Sequence, residues 1–345
     1  METILGLDYP TLWYLVVGLL FSGYAILEGF DYGAGAWHLF FKEDLSRRIA
    51  INAIGPLWDA NQVWLIIGGG ALFAGFPVLY ATLLSSMYIP FMLFLMLLVL
   101  RSSAIKFRSA EEMIWWRKTW DIIYFVSNTL ISFLLGVVLA NVLQGLEIGE
   151  NYSYKGGMFF SFLNPYAIMV GLTSLSLFMT QGAIFLLLKT EGRLYVRLTF
   201  LLKKGMIFFL VSFAATSLYT LVFLPGVTDK FREFPVFFVI PVLAFLAVAN
   251  IPRLVSKKKY AYALIFSSLT MAFLLMLVAF QLYPVLLPSK ISPEYSVTIY
   301  NAASSHKSLG IMLTIVAIGS PLLAGYFLFL YKTFHGKVKL DDTSY

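Results

Sequence analysis

Three carboxylic acids stand where a carboxylic acid is costly. Glu28 and Asp31 close the apolar run "TLWYLVVGLLFSGYAILEGFD", and Asp59 opens the run "DANQVWLIIGGGALFAG". A charge inside lipid costs several kcal/mol on insertion scales, so an acid retained there marks a function or a tightly satisfied contact. Glu28 and Asp31 are three residues apart and share one helical face. Asp59 is expected about seven residues into its span, roughly 10 Å along a helix from the inner end. A short ladder of desolvated carboxyls entering from one side of a membrane can exchange protons near neutral pH, which makes Glu28, Asp31 and Asp59 a candidate proton pathway. Trp58, Asn61 and Gln62 are the polar and amphipathic neighbours that could support it.

Each of these residues also has a plainer reading. Asp59 could cap a helix beginning at residue 60, with Gly55-Pro56 as the preceding turn. Glu28 and Asp31 could be interfacial acids facing Lys42, Arg47 and Arg48. Trp58 and Trp64 suit packing or the membrane boundary, and Asn61 and Gln62 suit interhelical hydrogen bonds. Arg101, at the end of an apolar run, is expected to snorkel to the inner surface. Both readings stand at this point.

The elements that must position these groups follow from composition. The chain has 345 residues, is 60% hydrophobic and 12% charged, and has a mean hydropathy of +0.83, against roughly 25% charged residues in average soluble domains. Its apolar runs are long enough to cross a bilayer, which takes about 20 helical residues, and backbone satisfaction in lipid requires them to be helical. The expectation is an all-α, polytopic membrane protein forming one integral-membrane domain over residues 1–345. About nine transmembrane helices are placed near 10–30, 52–76, 80–100, 120–142, 162–188, 206–224, 235–251, 260–286 and 309–331. Of the 25 Lys and Arg, 20 fall in alternate connections and the C-terminal tail. The positive-inside rule then puts the N-terminus outside and the C-terminus in the cytoplasm.

The net charge of +7 is assigned to that topology and to anionic lipid, with no nucleic-acid role. The N-terminal apolar run is longer than a signal core and lacks a cleavage site, so it reads as a retained span. There are no cysteines, which excludes disulfides, thiolate metal sites and iron–sulfur clusters. "LLPSKISPEYSVTIYNAASSHKS" is expected to form an outer cap. Gly68, Gly69, Gly70 and Gly75 are expected to allow close helix contact, and "GFDYGAG" lacks the strand context of a dinucleotide fingerprint. Asp121, Asn128, Asn141, Thr180 and Gln181 extend a polar interior. His38, His306 and His335 all fall outside mid-membrane depth. No two could clamp a haem across neighbouring spans, so no metal site and no haem held by this chain alone are expected.

"ILEGFDYGAG", "RRIAINAIGPLWDANQVWLIIGGGALFAGFP", "LNP" at 163–165, "TQGA" at 180–183 and "FSSLT" at 266–270 together resemble subunit II of cytochrome bd-type ubiquinol oxidase, in register along essentially the whole chain. The resemblance implies a non-haem subunit of a bacterial cytoplasmic-membrane terminal oxidase, inactive alone. It also implies a similarly folded subunit I carrying b- and d-type haems and the quinol site, with small single-helix accessory subunits, lipid and quinone as further partners. Quinol would be the substrate of the complex and oxygen would be reduced to water. In the family, acids matching Glu28 and Asp59 are thought to bring cytoplasmic protons to the oxygen-reducing haem. Here Glu28 stands where relatives often have Asp, and Gln62 where many have Glu. A neutral amide cannot release a proton as an acid does, so Gln62 is kept as support. From the residues alone, the alternatives are an ion-coupled transporter with Glu28 and Asp59 as ion sites, and an assembly subunit with no proton role.

Overall fold

The computed structural model describes residues 3–4, 6–157, 159–224 and 229–340. The single-domain expectation over 1–345 therefore includes positions outside the described residues, among them 225–228 and 341–345.

Asp8 opens helix α1 (Tyr9–Ala36) by accepting the Thr11 amide at 3.0 Å, with Pro10 in the first turn, where its missing N–H is no loss. A second, short amphipathic helix α2 (Asp44–Ile54) ends at Gly55-Pro56. Then come α3 (Trp58–Gly75), α4 (Pro77–Ser86), α5 (Tyr88–Phe107), α6 (Ile114–Gln144), α7 (Pro165–Lys189), α8 (Gly192–Phe223), α9 (Asp229–Glu233), α10 (Val239–Ser256), α11 (Tyr260–Leu282) and α12 (His306–Thr333). Two small antiparallel hairpins complete the described elements, β1 (Thr3–Ile4) with β2 (Leu7–Asp8) and β3 (Val285–Leu287) with β4 (Val297–Thr298). Among the described residues, eight helices are long and apolar enough to cross a membrane. A ninth crossing counts α3 and α4 as one broken span, bent by 116° at Phe76-Pro77. The second span therefore begins at Trp58 rather than at residue 52. Residues 44–54 carry Asp44, Arg47, Arg48 and Asn52, too polar for a span, and Pro56 prevents α2 from running on into α3.

The core is built where α1, α6 and α7 meet. α7 is the most enclosed helix, with 78% of its apolar stretch buried, against 6% for α8. α1 and α7 cross in backbone contact: a Cβ on Gly33 would overlap the Phe178 carbonyl, and one on Gly182 would overlap the Ala34 amide. Small residues are what permit so close an approach in lipid. Gln181 donates from this crossing to the Ile26 carbonyl at 2.8 Å and accepts from Ser267 of α11 at 3.4 Å, so the "TQGA" and "FSSLT" segments meet at α1. Of the α3 glycines, Gly75 lies close against the Trp13 ring of α1 and Gly68 against Phe21. Gly69 and Gly70 face open space, and Gly23 of α1 supplies a further close approach, directly under the Trp64 ring.

The loops 145–157 and 283–305 pack together over the end of the bundle that carries the start of α1. Leu146 bridges to Ser289, whose hydroxyl donates to the Ile148 carbonyl, and the Ser304 amide donates to Gly75 at the end of α3. The turn-rich segment therefore caps one end of the bundle.

Candidate functional site

At the opposite end of the bundle, the last turns of α1 run antiparallel to the first turns of α3 and past the end of α5. Glu28 and Asp31 lie on the inward face of α1, and both are fully buried. Between them sits Arg101 of α5, also 0% exposed, with Nη1 at 2.8 Å from Glu28 Oε2 and Nη2 at 3.7 Å from Asp31 Oδ2. Its guanidinium lies 4.6 Å over the Tyr32 ring, and the Tyr32 and Tyr24 hydroxyls share a hydrogen bond of 2.5 Å. Arg101 does not snorkel. Followed on α5 by Ser102, Ser103 and Ala104, it turns inward because two buried carboxylates and an aromatic face replace its hydration.

Asn61, in the second turn of α3, closes the site on another side. Its Nδ2 donates to Asp31 Oδ2 at 2.9 Å, and its Oδ1 accepts from the Tyr331 hydroxyl of α12 at 2.9 Å. The cluster is not saturated: Asp31 Oδ1, both Glu28 oxygens, the Arg101 nitrogens and the Tyr124 hydroxyl of α6 lack an aligned hydrogen bond among the described residues. The Arg101–Glu28 contact is thus an ion pair whose N–H does not point along the oxygen. One guanidinium faces two acids, so the ionised centre carries one negative charge more than positive, and one proton would neutralise it.

Asp59 is exposed, in the first turn of α3, not seven residues inside a span. It is not the cap of a helix starting at residue 60 either, because α3 starts at Trp58 with Leu57 at the cap position. A carboxylate in a first turn meets the partial positive charge of the helix N-terminus. Trp58 is buried, with the Lys106 ammonium 5.6 Å from its ring. Gln62 is half-buried and takes part in none of the hydrogen bonds around Asp31. Of the basic residues of the first connection, Arg47 is turned to Asp121.

Arg47 belongs to a second buried cluster. Asp121 of α6 accepts from Arg47 Nη1 at 2.8 Å and Arg108 Nε at 2.5 Å, and its Oδ1 lies 2.5 Å from His38 Nε2. Arg108 reaches on to Asp44 at 2.6 Å, and Arg117 to the other Asp44 oxygen at 3.4 Å. The two clusters adjoin, since the Tyr124 ring, one turn beyond Asp121, packs edge-on against His38 with centroids 5.0 Å apart.

The three histidines do not come together among the described residues. His38 Nε2 is engaged by Asp121, His306 is exposed at the other end of the bundle against the Tyr9 ring, and His335 is exposed beyond α12. His38 is thus already committed to a carboxylate, and the other two lie at the surface of the bundle. Among the described residues no group of three His, Asp or Glu is placed to hold a metal ion.

The geometry defines a multi-pass, all-α membrane protein with a buried two-acid, one-arginine centre near one face of the bundle. The family described as cytochrome bd terminal oxidase subunit II matches residues 9–334. The chain is 31% identical to cytochrome bd-I ubiquinol oxidase subunit 2 of Escherichia coli strain K12, over 97% of each sequence. It is 33% identical to cytochrome bd ubiquinol oxidase subunit 2 of Bacillus subtilis strain 168, over 95% of this chain and 96% of that one. A chain of the bd oxidase structure from Geobacillus thermodenitrificans superposes with a TM-score of 0.76 at 20% identity, covering 94% of this chain and 98% of that chain, and so shares the fold. The protein belongs to the cytochrome bd terminal oxidase subunit II family. It is a multi-pass subunit of a terminal oxidase in the bacterial cell membrane, and membership in that family sets aside the transporter alternative.

Arg101, Tyr331 and the Asp121 cluster escaped the sequence reading as site residues. A lone arginine after an apolar run looks interfacial, and Tyr331 is separated from Asn61 by most of the chain.

Proposed function

We propose that this chain is the non-haem subunit of a quinol oxidase and that its buried acids deliver cytoplasmic protons to the haem-bearing subunit with which it assembles. The b- and d-type haems, the quinol site and oxygen reduction belong to that partner in this reading, and small accessory subunits, lipid and quinone complete the complex. The observation that carries it is the fully buried Glu28–Asp31 pair sharing the single Arg101. Two carboxylates against one guanidinium hold one proton at net zero charge. Without that proton they leave a buried negative charge that draws the next one in, since unpaired charge in a dry interior is costly. Asp59, exposed on the same end of the bundle, takes protons from water and hands them inward, and Asn61 orients Asp31. Trp58 walls the entrance and Gln62 lends polarity without carrying a proton.

The N-terminus lies outside and the C-terminus inside in this proposal, as the basic-residue split requires. Single cysteines in this cysteine-free chain test it: Lys42→Cys should label only from the cytoplasmic side and Ser292→Cys from outside, and the reverse pattern inverts the proposal. The decisive variant is Glu28→Gln. Its amide keeps the shape but cannot exchange a proton, so quinol-driven oxygen consumption of the assembled complex should fall by about a hundredfold, the low end for a lost positioned proton carrier. Wild-type turnover would reject the proton role, and failure of the complex to assemble would make the residue structural.

A further inference from the structure

We infer that Tyr331 is a positioning residue for Asp31, held in place by the polypeptide that follows α12. The inference rests on the proton-delivery reading above. Tyr331 is the group on α12 that reaches the buried acids, through two hydrogen bonds of 2.9 Å: its hydroxyl to Asn61 Oδ1, and Asn61 Nδ2 to Asp31 Oδ2. The direction of both bonds is determined. Asp31 as a carboxylate only accepts, so Asn61 must present its NH₂ to it, and the amide oxygen then needs a donor, which the Tyr331 hydroxyl supplies. Without that hydroxyl the amide oxygen of the fully buried Asn61 loses its donor, and the side chain is held on Asp31 only through its NH₂, by the 2.9 Å bond itself and a 3.4 Å bond to the Leu27 carbonyl.

At this depth α12 is held to the bundle by Phe327, packed on the Trp64 ring, by Leu330 and by the Tyr331 hydrogen bond. Its buried side chains are Leu309, Phe327 and Leu330, and 11% of its apolar stretch is enclosed. The segment beyond it also holds its inner end. Lys337 Nζ donates to the Thr190 and Leu187 carbonyls at 2.8 and 3.2 Å, the Val338 amide donates to the Lys189 carbonyl at 2.9 Å, and Lys189 Nζ returns a bond to the Phe334 carbonyl. These contacts satisfy carbonyls left open at the end of α7 and tie α12 to the most enclosed helix of the bundle. The groups facing Asp31 from the packed elements are then Glu28 of α1, Arg101 of α5, Asn61 of α3, Tyr124 of α6 and Tyr331 of α12.

Tyr331→Phe removes the hydroxyl and keeps the ring stacked on Phe327. In the whole assembled complex, quinol-driven oxygen consumption should fall about fivefold, the rate equivalent of one ordinary hydrogen bond. The quinol KM should be unchanged, and the solvent deuterium isotope effect on turnover should rise above that of wild type. Asn61→Ala should move both readouts in the same direction, and Lys337→Met should do so by less. A Tyr331→Phe complex with wild-type rate and isotope effect overturns the inference, and so does loss of the assembled complex in Tyr331→Phe, which would make the hydroxyl structural. Asp31→Asn separates the two levels of the argument. If it turns over like wild type, the proton-delivery reading falls; if it is slow while Tyr331→Phe is not, only the positioning role of Tyr331 falls.

Discussion

The two buried charge clusters lie side by side near the same end of the bundle and are built from the same residue types, yet they are balanced in opposite senses. Around Asp121, one carboxylate meets two guanidinium groups and His38, and both of its oxygens are engaged. Around Arg101, one guanidinium meets two carboxylates, and several polar atoms lack aligned partners. A carboxylate held by two permanent cations has no reason to take a proton, whereas a pair of acids sharing one cation is neutral only when it holds one. The difference separates a clamp from a carrier: the first ties α2, the α1 end and the α5–α6 turn together, and the second can change its protonation without being dismantled.

The largest effect should come from breaking the clamp. Asp121→Asn leaves Arg47 and Arg108 beside a neutral amide, and breaking a buried pair by removing one partner costs about 3–5 kcal/mol. Arg47 is partly exposed and Arg108 keeps Asp44, so the low end, about 3 kcal/mol, is expected. The solubilised complex should unfold at a lower temperature and accumulate poorly, with whatever assembles turning over at a normal rate. Normal stability combined with slow turnover would reverse the assignment and make Asp121 part of the proton path.

This contrast could not have been read from the sequence, although much of the fold could. Long apolar runs located the crossings, because a bilayer imposes length and helicity on whatever crosses it, but not their ends: α5 begins at Tyr88 rather than at residue 80, and α8 at Gly192 rather than at residue 206. Glu28, Asp31 and Asn61 were legible for the same reason, as polar groups where none is cheap. The sequence does not show helix rotation. Arg101 reads as an interfacial residue until α5 is seen to turn it inward, and His38, Asp121 and Arg108 come together from three separate segments. The start of α3 was misplaced because residues 44–54 are helical but amphipathic, so a helix was there but not a crossing.

A smaller effect separates the entrance of the carrier from its interior. Asp59 is exposed where Glu28 and Asp31 are not, and water at an exposed site replaces part of what a lost acid did. Asp59→Asn should therefore lower oxygen consumption by about threefold, well short of the factor of a hundred or more for a buried proton carrier. Assembly and stability should stay near wild type, because an exposed carboxylate in a first turn gains only about 0.3–1 kcal/mol from the helix N-terminus. A loss as deep as that of Glu28→Gln would show that protons enter only through Asp59, and no loss at all would move the entrance elsewhere.

Gln62 gives the smallest expected effect and the finest test of where the carrier ends. It follows Asn61 directly on α3, but one residue is about 100° of helix rotation, and that turn takes it from the face meeting Asp31 to a half-buried position outside the hydrogen bonds of the centre. Its amide cannot carry a proton, and it positions no acid. Gln62→Ala removes little packing, and substitutions away from special contacts usually change stability by less than about 0.5 kcal/mol. Turnover, solvent isotope effect and unfolding temperature of the complex should all stay close to wild type. A slow Gln62→Ala complex with a raised isotope effect would mean that the proton route passes along the Gln62 face of α3 toward the partner, and the boundary drawn at Asn61 would have to move outward by one residue.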